Sequence, residues 1–171
     1  MKVLKVSTTI LMITILVSCS KDSVENDQEN GEFAFLPDSH TNIVFAEANY
    51  FGYMNDHRET MGLEPIEWDI DIIKKYSNSH TEYMIEKREV SKDNYENMIS
   101  LLLDEVKGGQ AEINVAIHKE GEGSGLDIFH YWIADEDARK NIEGNWTYSA
   151  VSVKIGDDRN YYVTQLFVKI Q

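Results

Sequence analysis

The fold is decided by the stretch Trp132-Ile-Ala-Asp-Glu-Asp-Ala-Arg-Lys-Asn-Ile142 together with Tyr161-Tyr-Val-Thr-Gln-Leu-Phe167 shortly after it. Residues 126–134 have the apolar spacing of a helix, and the final strand, residues 161–170, alternates in the manner of a β-strand. Thr164 and Gln165 are polar within this apolar strand, and buried polar groups need hydrogen-bond partners. We therefore expect a structural network that links them to the helix carrying Trp132.

The rest of the chain places helices first and strands last. Apolar spacing predicts helices over residues 42–60, from Trp68 onward after Pro65, and over residues 94–105. Alternation predicts strands over residues 111–117 and 148–155, and the turn Gly156-Asp157-Asp158 joins the second of these to the final strand. This order of elements predicts an α+β fold built in layers, with an antiparallel sheet.

The amino terminus has the composition of a signal peptide. Lys2 and Lys5 precede an apolar run over residues 10–17, which is too short to span a bilayer. The run ends in Leu16-Val-Ser-Cys19, which resembles the lipobox of bacterial lipoproteins, where the cysteine becomes the first residue and carries the lipid. Cys19 is the only cysteine, so the chain can form no internal disulfide. We expect residues 1–18 to be removed and Cys19 to be acylated.

Composition also limits the possible partners. Residues 19–40 are expected to form a flexible acidic tether, since the stretch up to Gly31 is nearly free of apolar side chains. The net charge of −14, which becomes −16 when the two lysines leave with the signal peptide, argues against nucleic acid and against electrostatic docking to anionic lipid. We therefore expect attachment through the lipid on Cys19, at the outer membrane or the cell surface, and a monomeric domain over residues 41–171.

Four short motifs lie in the folded part of the chain. They are Gly62-Leu-Glu-Pro-Ile-Glu-Trp-Asp69, His80-Thr-Glu-Tyr-Met84, Asn114-Val-Ala116, and the opening stretch with Thr164-Gln-Leu-Phe167. Together, and in this order, they resemble the bacterial, disulfide-free form of the CAP domain, the domain of cysteine-rich secretory, antigen-5 and pathogenesis-related proteins. The resemblance extends over residues 43–170. It implies a three-layer α-β-α sandwich with a central antiparallel sheet.

The same resemblance implies a cavity. Members of the family often line it with two histidines and two acidic residues, which bind a divalent metal in some cases. Here the four positions hold Lys92, Ile113, Asp135 and Ala138. The assignment of Ile113 uses Asn114 and its two successors as the anchor. A slip of one residue would place Glu112 in the acidic position instead, and would turn every side chain of the strand to the other face.

These replacements remove the chemistry of a metal site. Zinc normally takes three or four nitrogen, sulfur or oxygen donors from protein. Lys92 is a cation near neutral pH, since the reference pKa of lysine is about 10.4, and a cation repels a divalent ion. Ala138 and Ile113 offer no donor at all. We therefore expect a degenerate cavity, with no bound metal and no cofactor.

Other polar residues have plainer roles in this interpretation. Glu112, His80 and Gln165 are expected next to the cavity, and His80, on the apolar face of its helix, is expected to be a hydrogen-bonded structural histidine. His118 and His130 are expected to face solvent. No serine or threonine of the strands has a His/Asp partner at a readable spacing, so the sequence gives no support to nucleophilic catalysis.

Two functions remain open on these observations. The first is a non-enzymatic, lipid-anchored CAP domain of the bacterial cell envelope, which binds a protein, a glycan or an apolar ligand, because scaffold residues persist where site residues are lost. The alternative is an enzyme, a hydrolase, that uses Lys92 as a base of lowered pKa beside Asp135 or Glu112. An ammonium group of Lys92 close to a carboxylate inside a pocket favours the enzyme. A Lys92 that points into solvent counts against it.

Overall fold

The computed structural model describes residues 40–69 and 71–170. All of them belong to the compact unit Ala34–Gln171. The predicted signal peptide, Cys19 and the tether up to residue 39 lie outside the described residues, while His40, assigned to the tether, is the first residue of a helix. Of the helices in the described ranges, none is long and apolar enough to cross a membrane.

The described residues form five helices and four strands. The helices are α1 (His40–Thr60), α2 (Ile72–Lys87), α3 (Tyr95–Val106), α4 (Gly125–Ala134) and α5 (Glu136–Ile142). The strands are β1 (Glu67–Trp68), β2 (Gly108–His118), β3 (Tyr148–Ile155) and β4 (Tyr161–Ile170). The bounds of β3 and β4 agree with the predicted strands, because alternation and the turn at Gly156 mark their ends. The elements α5 and β1 were not predicted.

The helix α4 begins at a complete capping box. The Ser124 side chain accepts a hydrogen bond from the Asp127 backbone at 3.2 Å, and the Asp127 carboxylate accepts one from the Ser124 backbone at 3.1 Å. The first residue of the helix, Gly125, lies against α1. A Cβ at this position would stand 2.5 Å from the backbone oxygen of Ala46 and the backbone nitrogen of Tyr50. Glycine therefore lets α4 cross α1 at this short distance.

The sheet has the strand order β1-β3-β4-β2. The strand β4 lies in its middle and pairs antiparallel with both β2 and β3, as predicted. The short edge strand β1, which the sequence did not predict, pairs parallel with β3 through Glu67–Tyr148 and Trp68–Ser149. A chain that leaves one strand and returns through helices on the sheet can place the next strand in the same direction.

Helices cover both faces of the sheet. One apolar core unites α1, α4 and α5 with the sheet and contains Tyr50, Trp132 and Phe167. The other core unites α2 and α3 with the opposite face and contains Leu102 and Ile113. The three-layer α-β-α sandwich that the resemblance implied is thus the observed architecture.

Candidate functional site

Asparagines from two of the sequence motifs join α5 to the sheet. The buried Asn114 side chain of β2 donates a hydrogen bond to the Ala138 carbonyl at 3.1 Å. Its oxygen accepts one from Asn141 at 2.8 Å. The Asn141 carbonyl in turn accepts a hydrogen bond from the Trp146 indole at 2.7 Å. These residues form a closed structural network, since their side chains are occupied with one another and with the backbone.

A second polar network crosses the core at Gln165. The side-chain oxygen of Gln165 accepts a hydrogen bond from the Tyr50 hydroxyl, and its nitrogen donates to Ser149 at 3.0 Å and to the sulfur of Met54 at 3.1 Å. Burial raises the pKa of Tyr50 well above its ordinary value, so its hydroxyl stays protonated. The predicted link to the helix carrying Trp132 is wrong. Gln165 is joined to α1 and β3, because their polar side chains, on Tyr50 and Ser149, are the ones within reach.

The four cavity positions do not come together. Asn114 faces α5, so its neighbour Ile113 faces the opposite helical layer, because successive side chains of a strand alternate. Ile113 is fully buried against α2 and α3, whereas Ala138 packs in the core formed by α1, α4 and α5. The sheet therefore separates Ile113 from Ala138. Glu112, the alternative at the acidic position, is exposed and accepts a hydrogen bond from the Tyr95 hydroxyl at 3.4 Å.

The two charged cavity positions lie at the surface. Lys92 is exposed in the segment between α2 and α3, and no carboxylate among the described residues pairs with its ammonium group. Asp135 is exposed as well, and it caps α5 by accepting a hydrogen bond from the Ala138 backbone at 2.8 Å. Neither residue lines the groove described below. This placement of Lys92 counts against an enzyme built on it.

The three histidines weighed in the sequence analysis differ in burial. His80 is buried and donates a hydrogen bond to the Ser91 carbonyl at 2.8 Å, which ties α2 to the segment that follows it, and burial lowers its pKa. His130 is exposed, as predicted. The prediction that His118 faces solvent is wrong: it is buried edge-on to the Tyr131 ring, 5.0 Å between ring centres, and burial lowers its pKa. Tyr131 on α4 covers it, which the strand pattern could not reveal.

A groove of about 900 Å³ runs along the outer edge of β3. We call it the β3 groove. The helices α1 and α2, on opposite faces of the sheet, form its walls, and the turn after β3 closes one end. Its lining comprises Ile43, Val44, Glu47, Lys74, Asn78, Val153, Lys154, Ile155, Gly156, Asp157 and Arg159. A volume of this size is typical of ligand-binding clefts.

A buried ion pair lies at the centre of the β3 groove, and we call it the edge pair. Glu47 of α1 and Lys74 of α2 meet at 2.5 Å, with side chains only 9% and 17% exposed. Burial lowers the pKa of Lys74, and the Glu47 carboxylate partly offsets this effect. Both side chains also bind the β3 backbone, since Lys74 donates to the Val151 carbonyl at 2.5 Å and Glu47 accepts from the Val153 amide at 2.8 Å.

Sequence reasoning missed the edge pair, although one signal for it existed. Ile43, Tyr50 and Met54 form the apolar stripe of α1, and Glu47 stands on the same stripe at helical spacing. An acid on a buried stripe needs a partner. Nothing in the sequence indicates that Lys74 supplies it. Within the described ranges, no group of three or more His, Cys, Asp or Glu residues is placed to hold a metal ion.

The model of the CAP family, described as the cysteine-rich secretory protein family, matches residues 51–167. This range is more than half of the chain. The chain belongs to the CAP family. No curated protein sequence matches it.

Solved structures of bacterial proteins share the fold. An outer surface protein from Borrelia burgdorferi has a TM-score of 0.61 at 12% identity, over 71% of this chain and 90% of that protein. An extracellular protein containing an SCP domain from Bacillus anthracis has a TM-score of 0.56 at 22% identity, over 72% of this chain and 40% of that one. A cysteine-rich secretory protein from Staphylococcus aureus has a TM-score of 0.57 at 14% identity, over 77% and 40%. At these identities the likeness shows the fold alone.

The CAP motifs of this chain therefore serve the scaffold. Asn114, Asn141 and Gln165 are buried or partly buried in structural networks. The β3 groove, by contrast, contains none of the motif residues quoted for the resemblance. The β3 groove therefore lies apart from the four positions that the resemblance assigns to the cavity of the family.

Proposed function

We propose that the protein is a lipid-anchored, non-enzymatic CAP-domain protein of the bacterial cell envelope, which binds a protein, a glycan or an apolar ligand. The observation that carries the proposal is the separation of the four cavity positions. Ile113 and Ala138 are buried in different cores, and Lys92 and Asp135 are exposed. Residues placed in this way do not converge on one substrate atom, which general acid–base catalysis and metal catalysis both need.

Export and anchoring are supported by the amino terminus. The apolar run over residues 10–17 and Leu16-Val-Ser-Cys19 have the composition of a lipoprotein signal. Two proteins that share the fold are described as an outer surface protein and an extracellular protein. A domain held by lipid at the membrane, with a net charge of −14 in the full chain, is kept off anionic headgroups by repulsion. This arrangement suits a domain that is anchored in the membrane and binds a partner in the surrounding medium.

Lipidation makes a direct prediction. When the full chain is expressed in a Gram-negative host with radiolabelled palmitate, we expect label in the wild-type protein and none in Cys19→Ala, because Cys19 is the only thiol. The control variant Ser20→Ala keeps the cysteine and is expected to retain the label. Autoradiography of the purified chains provides the measurement. An unlabelled wild-type chain, or a labelled Cys19→Ala chain, would contradict the anchor.

The loss of the metal site makes a second prediction. Calorimetric titration of the domain with Zn²⁺ is expected to show no stoichiometric sub-micromolar binding, because Lys92, Ile113 and Ala138 supply no anionic or neutral donor. Asp135→Ala is the matched variant, since it removes the only carboxylate among the four positions. Tight one-to-one binding that disappears in Asp135→Ala or Lys92→Ala would show that these positions do form a working site.

A further inference from the structure

The three cations that line the β3 groove are already paired with carboxylates. The ion pairs are Lys74–Glu47, Lys154–Glu82 and Arg159–Glu120. The edge pair also bonds the outward Val151 carbonyl and the outward Val153 amide of β3. The groove therefore offers little to an acidic ligand or to an added strand, and its apolar surface decides what it can hold.

The first turns of α1 expose apolar surface in the groove. Val44 lines the groove and is 58% exposed, and the partly buried Ile43 and Ile155 line it beside Val44. Phe45 is also 58% exposed but does not line the groove, because successive residues of a helix point about 100° apart. Burying such surface stabilises a protein by roughly 25 cal/mol for each Å². An apolar occupant of the groove would gain this stabilisation.

An apolar segment precedes this surface in the chain. Residues 33–36, Phe-Ala-Phe-Leu, interrupt an otherwise polar stretch and lie outside the described residues. A segment that only spans distance has no need of such a run, since disordered segments are poor in aromatic and aliphatic side chains. Of these residues, Ala34, Phe35 and Leu36 belong to the same compact unit as the folded domain. We therefore take this segment as the first candidate to cover the groove.

The chain between the segment and the groove is long enough for the two to meet. Leu36 lies four positions before His40, where α1 begins, and four residues of extended chain reach about 13 Å. Val44 lies four positions after His40, which is about 6 Å along the helix. Residues 37–39 between them are Pro-Asp-Ser, all three of which favour turns. A turn there brings the segment back over Val44.

We propose that Phe35 and Leu36 fold back into the β3 groove and cover Val44, so that the chain itself occupies the groove. Their side chains contact Ile43, Val44 and Ile155, and residues 33–37 bring no charge against the paired groups. The net charge of −14 disfavours a second copy of the chain as the occupant. A tethered segment acts at an effective concentration in the order of millimolar, so an external ligand has to displace it. This inference goes beyond the proposed function and depends on neither the lipid anchor nor an external ligand.

The test compares the reactivity of two cysteines at positions of equal exposure. In the mature chain, residues 19–171, Cys19→Ser removes the only native thiol. Val44→Cys or Phe45→Cys is then introduced, because both side chains are 58% exposed and, of the two, Val44 alone lines the groove. We expect a maleimide to label Val44→Cys at least about tenfold more slowly than Phe45→Cys, because the docked segment has to open first.

Serine substitutions in the segment provide the matched control. Phe35→Ser with Leu36→Ser removes the apolar side chains without changing the charge, and it is expected to bring the labelling rate of Val44→Cys to within about twofold of that of Phe45→Cys. Val24→Ser, in the polar part of the tether, is expected to leave both rates unchanged. In the chain without these substitutions, NMR is expected to show NOEs between the Phe35 ring and the Val44 methyl groups. Thermal melts confirm that each variant is folded.

Three results would overturn the proposal. Equal labelling of Val44→Cys and Phe45→Cys before the serines are introduced would show that the groove is open. Slow labelling of Phe45→Cys that the two serines relieve would place the segment on the outer face of α1. Protection of Val44→Cys that persists with the serines would identify another occupant, and its dependence on protein concentration would show whether this is a second copy. None of these results bears on the acylation of Cys19, which the palmitate label measures separately.

Discussion

Replacing Arg58 with methionine is expected to lower the free energy of unfolding by at least about 3 kcal/mol, because three backbone carbonyls lose a charged donor and each loss costs about 1–3 kcal/mol. The guanidinium group, in a residue only 2% exposed, donates four hydrogen bonds. Two go to the Glu64 carbonyl at 2.9 and 2.7 Å, and one each to the Ile142 carbonyl at 2.6 Å and the Gly144 carbonyl at 2.8 Å. Arg58 thus ties the end of α1 to the segment before β1 and to the end of α5.

The matched control is Arg58→Lys, which keeps the charge and loses the planar fork. A single ammonium group cannot reach three carbonyls in this geometry, so the lysine variant is expected to be intermediate in stability. Urea denaturation followed by circular dichroism measures both. A lysine variant as stable as the wild type would mean that the charge, and not the fork, holds these segments together. Because domains of this size have about 5–15 kcal/mol of stability in total, the methionine variant is expected to be partly unfolded at 37 °C.

Removing one member of the edge pair has the second large effect. Glu47→Ala is expected to destabilise the domain by about 3–5 kcal/mol, because it leaves the largely buried Lys74 ammonium without its counter-ion. It also leaves the Val153 amide without the carboxylate that accepts its hydrogen bond at 2.8 Å. Removing one member of a buried ion pair costs more stability than replacing both members with apolar residues, because the remaining charge loses its counter-ion and is poorly hydrated.

A double-mutant cycle separates these contributions. Glu47→Leu with Lys74→Met removes both charges and is expected to be more stable than either single variant, because no unpaired charge remains. The exposed pair between Lys140 and Glu136, at 2.7 Å on α5, provides the control. Its removal is expected to change the stability little, since water screens exposed ion pairs. The opposite result is a loss in the free energy of unfolding that equals, in the double variant, the sum of the losses in the two single variants. That result would mean that Glu47 and Lys74 stabilise the domain independently and not as a pair.

The sequence predicted best those elements whose signals are local. The hairpin of β3 and β4 was predicted with its bounds, because two alternating runs meet at Gly156-Asp157-Asp158. The helices α1, α3 and α4 were predicted close to their bounds from apolar spacing. The predicted start of α2 at Trp68 is wrong, because Trp68 lies in β1 and the helix begins at Ile72. The short elements β1 and α5 carried no such signal. The two residues of β1 are too few to show a periodicity. The seven residues of α5 are mostly charged, and Asp135 caps the helix.

The contacts of greatest consequence here join residues far apart in the chain. Arg58 binds carbonyls 84 and 86 positions away, and Glu47 binds the Val153 amide 106 positions away. Local patterns do not predict such contacts, because any of several cations could have paired with Glu47. The β3 groove was missed for the same reason, since its walls come from α1, α2 and β3.

The family and the layered fold follow from the sequence, and the resemblance to the family assigns Lys92, Ile113, Asp135 and Ala138 to the four cavity positions. On that assignment, Lys92, Ile113 and Ala138 lack the donors of a metal site, which stays a prediction. The places of these residues in the molecule follow from packing between elements that are far apart in the chain. The register of β2 against β4 pairs Asn114 with Gln165 and turns Asn114 toward α5 and Ile113 toward α2 and α3, so the sheet separates Ile113 from Ala138. Packing of α1 and α2 around an uncovered strand edge created the groove, because a two-residue β1 is too short to cover β3.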